Sequence, residues 1–310
     1  MTPEILKRAL RRTEEGFLAA PGAEPLLARR EAGRARADDA ALAADYAEEL
    51  RSRQLPGGSW DEDLVVTAES LELLLELEAP APGAEPDAAV KSALDWLRRR
   101  QGGPGRFGDG CTPERHALGA CNHFLGGFFA PGRDGAVMLG CGAVLPAGPA
   151  ALLGASCVAL RSLLRCRVAG PDVVLHLEGL DRLLRLDPRD VPELVPPDVV
   201  PVALSALLAA PPTPETDELL SRGLDRLVRS QRADGSWPDL DAFYILEILL
   251  AAASAGRGSE ALDAAVRRGA GMLAVTQHAD GTWDREPATR RTRIGWRALH
   301  YAVALEEARA

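Results

Sequence analysis

The stretch RLVRSQRADGSW, residues 226–237, carries the pattern that decides the fold. It recurs as ELRSRQLPGGSW at 49–60, as WLRRRQGGPGRF at 96–107 and as MLAVTQHADGTW at 272–283. In every copy a leucine is followed by a glutamine, then by a glycine, and finally by an aromatic residue two positions after that glycine. Such self-similarity is typical of repeat proteins, in which each unit is one supersecondary structure.

The spacing of the copies predicts six units. The shared leucines lie 47, 130 and 46 residues apart, and the long gap has room for two degenerate copies. One is the run from Gly179 to Arg185, which echoes the run from Gly223 to Arg229, 44 residues later. The other is expected near Leu139. Units of about 45 residues then fill the chain from roughly position 38 to its end.

Each unit is predicted to be a pair of helices. In the last unit, apolar residues from Ala261 to Gln277 recur at helical spacing, an Asp280-Gly281 turn follows, and residues 292–308 are helical again. Alternation typical of strands is almost absent. We therefore predict an all-α fold, an (α/α)6 toroid over residues 37–310, with residues 1–36 as an N-terminal helical extension. Outer helices would end at the glutamine and inner helices would begin after the aromatic residue.

Charge and cysteine usage exclude several classes of protein. The sequence has 45 acidic and 36 basic residues, a net charge of −9, and no stripe of Lys and Arg that could neutralise nucleic-acid phosphates. Its five cysteines are an odd number crowded between 111 and 166, which does not suit a disulfide framework. Together with an N-terminus that lacks an export signal, this favours a cytoplasmic setting.

One uncharged segment, residues 135–160, needs a separate interpretation. It is interrupted by Pro146 and Pro149, so neither half reaches the length of a membrane-spanning helix. We predict two short buried helices here, and peripheral contact with a lipid surface stays open as the alternative.

The repeat resembles the QW repeat of the terpene cyclase and protein prenyltransferase superfamily. That repeat has Leu, then Gln four residues on, a short turn and Gly-x-Trp, and four units match it if Phe107 stands for tryptophan. The resemblance covers nearly all the chain after residue 38, and implies an isoprenoid substrate in the centre of the ring. Ring proteins of this kind also include purely binding proteins, so the fold alone leaves the chemistry open. Nothing in the sequence argues for a partner subunit.

The run Pro238-Asp239-Leu240-Asp241 carries the sharpest functional hypothesis. It is similar to the Pro-Asp-x-Asp-Asp motif of class II terpene cyclases such as squalene–hopene cyclase, with Ala242 in place of the last aspartate. The resemblance implies that Asp241 donates a proton to an alkene or epoxide and that Asp239 supports it. The alternative is structural, because an aspartate at the start of a helix commonly caps it.

Further polar candidates follow the repeat turns, where the inner helices of a ring would begin. Asp109-Gly110-Cys111 resembles the Asp-x-Cys zinc motif of the prenyltransferases, but we expect buried thiols and helix caps rather than a Zn²⁺ site. No cofactor is expected, except Mg²⁺ if the substrate is a diphosphate. These secondary candidates are Asp61, Asp63, Asp109, Cys111, His116, Cys121 and His123.

Aromatic and basic residues on the predicted inner helices are the candidates for substrate binding. Aromatic faces stabilise carbocations and suit a hydrocarbon chain, although packing between helix layers would explain them equally well. Arginines at the mouth could hold a diphosphate or a carboxylate, or could simply be solvated. The candidates are Phe124, Phe128, Phe243, Tyr244, Trp296, Arg290 and Arg293.

Three functions are consistent with these residues. The first is a terpene cyclase-like enzyme that begins cyclisation by protonation, which requires Asp239 and Asp241 to face a cavity of several hundred Å³. The second is a different enzyme that uses the Cys, His and Asp residues at the mouth. The third is a toroid that binds a lipid or a protein without catalysis.

Overall fold

The computed structural model describes residues 2–79, 85–100, 135–185, 198–284 and 289–309. Within these ranges the chain forms twelve helices and one two-stranded antiparallel hairpin. The helices are α1 (Pro3–Phe17), α2 (Ala23–Glu31), α3 (Asp39–Ser52), α4 (Leu64–Glu78), α5 (Ala88–Arg99), α6 (Pro149–Arg165), α7 (Pro171–Arg185), α8 (Val199–Leu207), α9 (Pro214–Ser230), α10 (Ala242–Ser254), α11 (Glu260–Thr276) and α12 (Arg290–Glu307). The strands are β1 (Val137–Met138) and β2 (Val144–Leu145).

The even-numbered helices form a closed inner ring. Each inner helix contacts the next one: α2 contacts α4, α4 contacts α6, α6 contacts α8, α8 contacts α10 and α10 contacts α12. The ring closes because α12 also contacts α2. The odd-numbered helices pack outside this ring, each against one or more of its members. The predicted all-α toroid of six helix hairpins is therefore confirmed.

The two layers differ in their apolar patterns because they bury different fractions of their surface. Every residue of α8 is buried, and α10 buries eight of its thirteen residues. The outer helix α9 instead buries a single stripe that includes Leu220, Leu224 and Leu227 at helical spacing. The apolar helices α8 and α10 thus belong to the inner ring, whereas the inner helices α2 and α12 carry many charged residues.

The repeat glutamines connect neighbouring hairpins. The Gln231 side-chain amide donates to the Gly235 carbonyl at 3.1 Å, within its own turn, and to the Ala265 carbonyl of the next outer helix at 2.9 Å. Gln54 bonds in the same way to Gly58 and to Ala89. Each glutamine thus hydrogen-bonds to its own turn and to a helix of the next pair at once.

The repeat tryptophans close the same turns from the other side. The Trp237 indole nitrogen donates to the Leu227 carbonyl at 2.8 Å, and Trp283 makes the equivalent bond to Leu273 at 2.9 Å. Both indole groups therefore satisfy a carbonyl in the last turn of the preceding outer helix.

The N-terminal helices complete the ring. Residues before 37, predicted as an N-terminal extension of one or two helices, form α1 and α2, which pack as a hairpin of the ring: α1 contacts α11 and α12, and α2 contacts α4 and α12. The Gln277 side-chain amide donates to the Ala9 carbonyl of α1 at 3.1 Å. Gln54 and Gln231 make the equivalent bond to the next outer helix along the chain, so α1 acts as the next outer helix for Gln277. The last repeat turn thus needs α1 as its neighbour.

The expected repeat copy near Leu139 is not present in the structure. Leu139 lies in the turn between β1 and β2, where Val137 pairs with Leu145 and Met138 with Val144. The prediction of two short helices over 135–160 was correspondingly wrong, since this hairpin precedes the single helix α6. Glycines at 140 and 142 favour the tight turn, and the hairpin buries Val137 and Leu145.

Replacing Gln231 by methionine should lower the free energy of unfolding by about 1–3 kcal/mol, because the two hydrogen bonds that join neighbouring hairpins are lost, each contributing about 0.5–1.5 kcal/mol. Methionine keeps the length of the side chain but cannot donate. Chemical denaturation would measure the change, with Arg232→Met, at the adjacent exposed position, as the control. Equal stabilities for the two variants would contradict a connecting role for the repeat glutamine.

No helix in the described parts of the chain is long and apolar enough to cross a membrane.

Candidate functional site

The inner ring encloses a cavity of about 580 Å³, to which all six inner helices contribute residues. Its wall has two chemically different parts. The apolar part comes from α10 and the C-terminal end of α8, with Leu208, Ala209, Ile248, Ala251 and Ala255. The charged part consists of Glu31, Glu72, Glu76, Glu247, Arg161, Arg165, Arg290, Arg293 and Arg297.

Glu72 forms one centre of the charged wall. It accepts hydrogen bonds from Arg161 Nε at 2.7 Å, Ser162 Oγ at 3.0 Å and Arg165 Nη1 at 3.2 Å. Burial would raise the pKa of Glu72, but the two guanidinium groups more than offset burial, so its pKa lies below the ordinary value. Glu72 is therefore an ionised partner for Arg161 and Arg165.

Arg293 forms a second centre that joins three inner helices. Its Nη1 lies 2.7 Å from Glu76 of α4 and 3.2 Å from Glu24 of α2, while its Nη2 contacts Glu31. Burial opposes ionisation of Glu76, yet Arg293 and Arg165 lower its pKa to about 2. Burial dominates at Glu24 and raises its pKa.

Arg290 lies in the same cavity and pairs with Glu247 of α10. Its Nε and Nη2 both donate to Glu247 Oε1, at 2.9 Å and 2.6 Å. Arg290 and Arg293, the two arginines selected from the sequence, thus both line the cavity, and each has carboxylate partners supplied by the protein.

Asp241 is at the N-terminal end of α10. Its Oδ1 accepts hydrogen bonds from the backbone N–H groups of Phe243 at 2.9 Å and Tyr244 at 3.1 Å, and its Oδ2 lies 3.0 Å from Arg291 Nη1. This is a helix cap with an ion pair, the structural alternative considered for this residue. Asp241 does not line the cavity, although Tyr244, one helical turn further on, does.

Asp239 is exposed, with a left-handed backbone (φ 59°), and it too does not line the cavity. The first hypothesis required both aspartates to face the cavity. The structure does not bring them together there.

The turn of the β1–β2 hairpin lies beside Asp241. The Cys141 carbonyl accepts a hydrogen bond from Arg291 Nη1 at 3.2 Å, and the Gly140 N–H donates to Glu69 Oε1 at 2.7 Å. Burial, with the negative charges of Glu247 and Asp241, raises the pKa of the Cys141 thiol to about 12. The turn thus links α4 to the start of α12 and carries an inert thiol.

Glu69 was not selected from the sequence. Burial raises its pKa, with Arg290 as the main opposing influence, and it forms no ion pair within 4 Å among the described residues. A signal was present, because Glu69, Glu72 and Glu76 recur at intervals of three and four along the otherwise apolar helix α4. Two members of this stripe, Glu72 and Glu76, line the cavity, whereas Glu69 lies one turn before them and does not.

Of the aromatic candidates that the structure describes, only Tyr244 lines the cavity. Its buried hydroxyl has no hydrogen-bond partner among the described residues, and burial raises its pKa against the influence of nearby Arg161 and Ser205. Phe243 packs edge-on against Trp283, with ring centroids 5.8 Å apart, and lies under the Arg291 guanidinium. Trp296 is buried near His300.

The remaining candidates are structural or lie outside the described residues. Asp63 caps α4 by accepting from Val65 N at 2.8 Å and Val66 N at 3.0 Å, and Asp61 is exposed. No group of three His, Cys, Asp or Glu suited to a metal ion occurs in the described ranges. Asp109, Cys111, His116, Cys121, His123, Phe124 and Phe128 fall outside the described residues.

No protein-family model matches the sequence, and no curated protein matches it. Solved structures do. A protein from Actinoplanes aligns with a TM-score of 0.51 and 16% identity over 98% of this chain and 100% of that chain. The type II terpene cyclase MstE from Scytonema, as its D109N variant in complex with the substrate geranylgeranyl dihydroxybenzoate, aligns with a TM-score of 0.55 and 13% identity, over 99% of this chain and 98% of that chain. At these identities the likeness establishes the fold: this chain has a terpene cyclase-like all-α fold.

Proposed function

We propose that the protein is a terpene cyclase-like enzyme that binds an isoprenoid in the central cavity and cyclises it after protonation of a double bond. The observation that carries the proposal is the cavity itself, which is lined by all six inner helices and has apolar residues from α10 and the C-terminal end of α8 on one side. Its volume of about 580 Å³ is in the range that holds an organic ligand. The likeness to a type II cyclase of similar length supports the same reaction class.

Protonation needs a carboxyl group that carries a proton, and the two candidates, Glu69 of α4 and Asp241 at the start of α10, lie on inner helices but do not themselves line the cavity. Burial raises the pKa of Glu69, no ion pair holds it ionised, and the Gly140 N–H binds only Oε1. Asp241, which the motif resemblance suggests, is paired with Arg291 and accepts two backbone N–H groups. Those contacts stabilise its anion, so we assign the proton to Glu69 and keep Asp241 as the alternative donor.

The decisive experiment follows isoprenoid turnover by mass spectrometry. The full-length protein is incubated with squalene, farnesyl diphosphate, geranylgeranyl diphosphate and geranylgeranyl dihydroxybenzoate, with and without Mg²⁺. Protonation at one carbon and proton loss at another leave the formula unchanged, so the expected product is an isomer of its substrate. In D₂O it should gain one deuterium.

Glu69→Gln should lower the turnover rate by about 10²–10⁴-fold, the usual contribution of a general acid, while it keeps the acceptor for Gly140. Asp241→Asn is compared with Asp63→Asn, because both aspartates cap a helix through two N–H groups and asparagine is an equally good cap. A loss in Asp241→Asn that Asp63→Asn does not show would transfer the donor role to Asp241. Unchanged turnover in Glu69→Gln would exclude Glu69.

A second candidate is a ring that binds its ligand without catalysis. It is favoured by the carboxylates that line the cavity, each of which already has an arginine partner. Saturable binding of an isoprenoid with no isomeric product from any substrate would support this alternative and contradict the enzymatic one.

A further inference from the structure

The buried hydroxyl of Tyr244 points to a polar part of the ligand. Tyr244 is 5% exposed, its side chain lines the cavity, and its hydroxyl makes no hydrogen bond of normal length among the described residues, since the nearby Ser205 hydroxyl donates to the Val202 carbonyl instead. Buried hydroxyl groups in proteins are nearly always hydrogen-bonded, to protein or to water. Phenylalanine would fill the same space without this cost, so the hydroxyl indicates a group that occupies the cavity.

Arg161 supplies a positive charge at the same place. Its side chain is 11% exposed, and its Nε donates to Glu72 Oε1 at 2.7 Å. The two Nη groups have no hydrogen-bond partner in the part of the chain that the structure describes. The guanidinium has donors and no acceptor, and the phenolic O–H adds one more donor, which is an arrangement that binds an oxyanion.

The net charge of the cavity wall favours a carboxylate over a diphosphate as the bound oxyanion. Among the described residues, four glutamates and five arginines line the cavity, an excess of one positive charge. A carboxylate, with a single negative charge, matches this excess, whereas a diphosphate carries more negative charge than it offsets. We propose that Arg161 and Tyr244 bind the carboxylate of an amphiphilic ligand whose apolar chain lies along Leu208, Ile248 and Ala251. The inference rests on the proposed function for the isoprenoid nature of that chain, but not for its head group.

Binding to the folded full-length protein tests the site with four probes, measured by isothermal titration. Geranylgeranoic acid carries the carboxylate, geranylgeraniol is its neutral counterpart, geranylgeranyl diphosphate carries more charge, and a straight-chain fatty acid of similar length keeps only the head group. Geranylgeranoic acid should bind about tenfold or more tightly than the alcohol, as expected for hydrogen bonds to a charged group. It should also bind more tightly than the diphosphate.

Tyr244→Phe is the critical variant. It should weaken binding of geranylgeranoic acid about tenfold and leave geranylgeraniol unaffected, with no loss of thermal stability because the hydroxyl has no partner to lose. Tyr301→Phe is the matched control, since its hydroxyl bonds to Asp263 away from the cavity wall. Arg161→Lys should likewise weaken the acid selectively.

Equal affinities for acid and alcohol, or an unchanged affinity in Tyr244→Phe, would overturn the site, and tighter binding of the diphosphate would overturn its assignment to a carboxylate. Tyr244-dependent binding of the straight-chain acid without turnover of any isoprenoid would retain the site and refute the cyclase function. If the protein turns over a neutral isoprenoid and Tyr244→Phe does not alter that turnover, the cyclase function is supported and the carboxylate site is refuted.

Discussion

Substitution of Gly281 by alanine is expected to lower the free energy of unfolding by about 3 kcal/mol or more. Gly281 has a φ of 86°, and a β-carbon there would lie 2.4 Å from the Arg12 carbonyl oxygen and 2.8 Å from the Thr13 nitrogen of α1. Left-handed strain and a collision with helix backbone therefore act together. Because α1 closes the ring beside Gln277, the collision should disturb the contact between the last repeat turn and α1.

Gly256→Ala separates the two effects. Gly256 has a similar φ of 75°, but a β-carbon there would meet no atom within 4 Å. Gly256→Ala should lower the free energy of unfolding only by the strain of the left-handed conformation, about 1–2 kcal/mol. Urea denaturation of both variants measures the difference, and equal losses would show that close approach to α1 contributes nothing. Alanine at Gly58 or Gly235 should have the same effect as at Gly281, because a β-carbon there would lie 2.2 Å from a carbonyl oxygen of the next outer helix.

Arg293→Met should cost about 3 kcal/mol of unfolding free energy at pH 7, since it removes charge-assisted hydrogen bonds to three partly buried carboxylates. Methionine keeps much of the side-chain volume, so the effect reports charge. Arg293 joins α12 to α2 and α4, and we expect the inner ring to loosen at these two contacts. Thermal unfolding followed by circular dichroism would measure the loss.

The loss should depend on pH in a direction that the Glu76 pKa fixes. Arg293 and Arg165 lower that pKa from 4.5 to about 2 in the folded protein. Glu76 therefore contributes stability above pH 4.5, and this contribution is lost as the pH falls towards 2. The difference between wild type and Arg293→Met should be largest near pH 7 and should shrink below pH 4.5.

Arg185→Met is the control, because Arg185 pairs with Asp181 on the exposed side of a single helix. Its unfolding midpoint should change little at any pH. A difference for Arg293→Met that stays constant between pH 7 and pH 3 would show that lost packing, and not lost ion pairing, causes its instability.

The repeat could be interpreted from sequence because its anchors act locally. Gln231 bonds to Gly235 and Trp237 bonds to Leu227 within one helix end and its turn, which fixes the spacing of the anchors, although Gln231 and Gly235 also approach the next outer helix. The prediction of a repeat copy near Leu139 was wrong because the glycines and valines there suit a β-hairpin as well as a degenerate repeat.

The cavity wall was harder to predict. Arg290 and Arg293 were selected as mouth residues, but their partners lie on α2, α4 and α10, far away in sequence. Asp241 was selected by a motif that a helix cap also satisfies, and local sequence does not separate the two. Glu69, whose raised pKa depends on burial by the hairpin and neighbouring helices, was missed altogether.

The sequence by itself determined the helical repeat, the all-α ring and the turns that join its layers, because each depends on residues within about one turn of each other. Only the tertiary structure decided that α1 closes the ring beside Gln277, that ion pairs line the centre, and that the Tyr244 hydroxyl is left without a partner. These features arise where six helices converge. The burial and charge at such a place belong to all six helices and are not specified by any one segment.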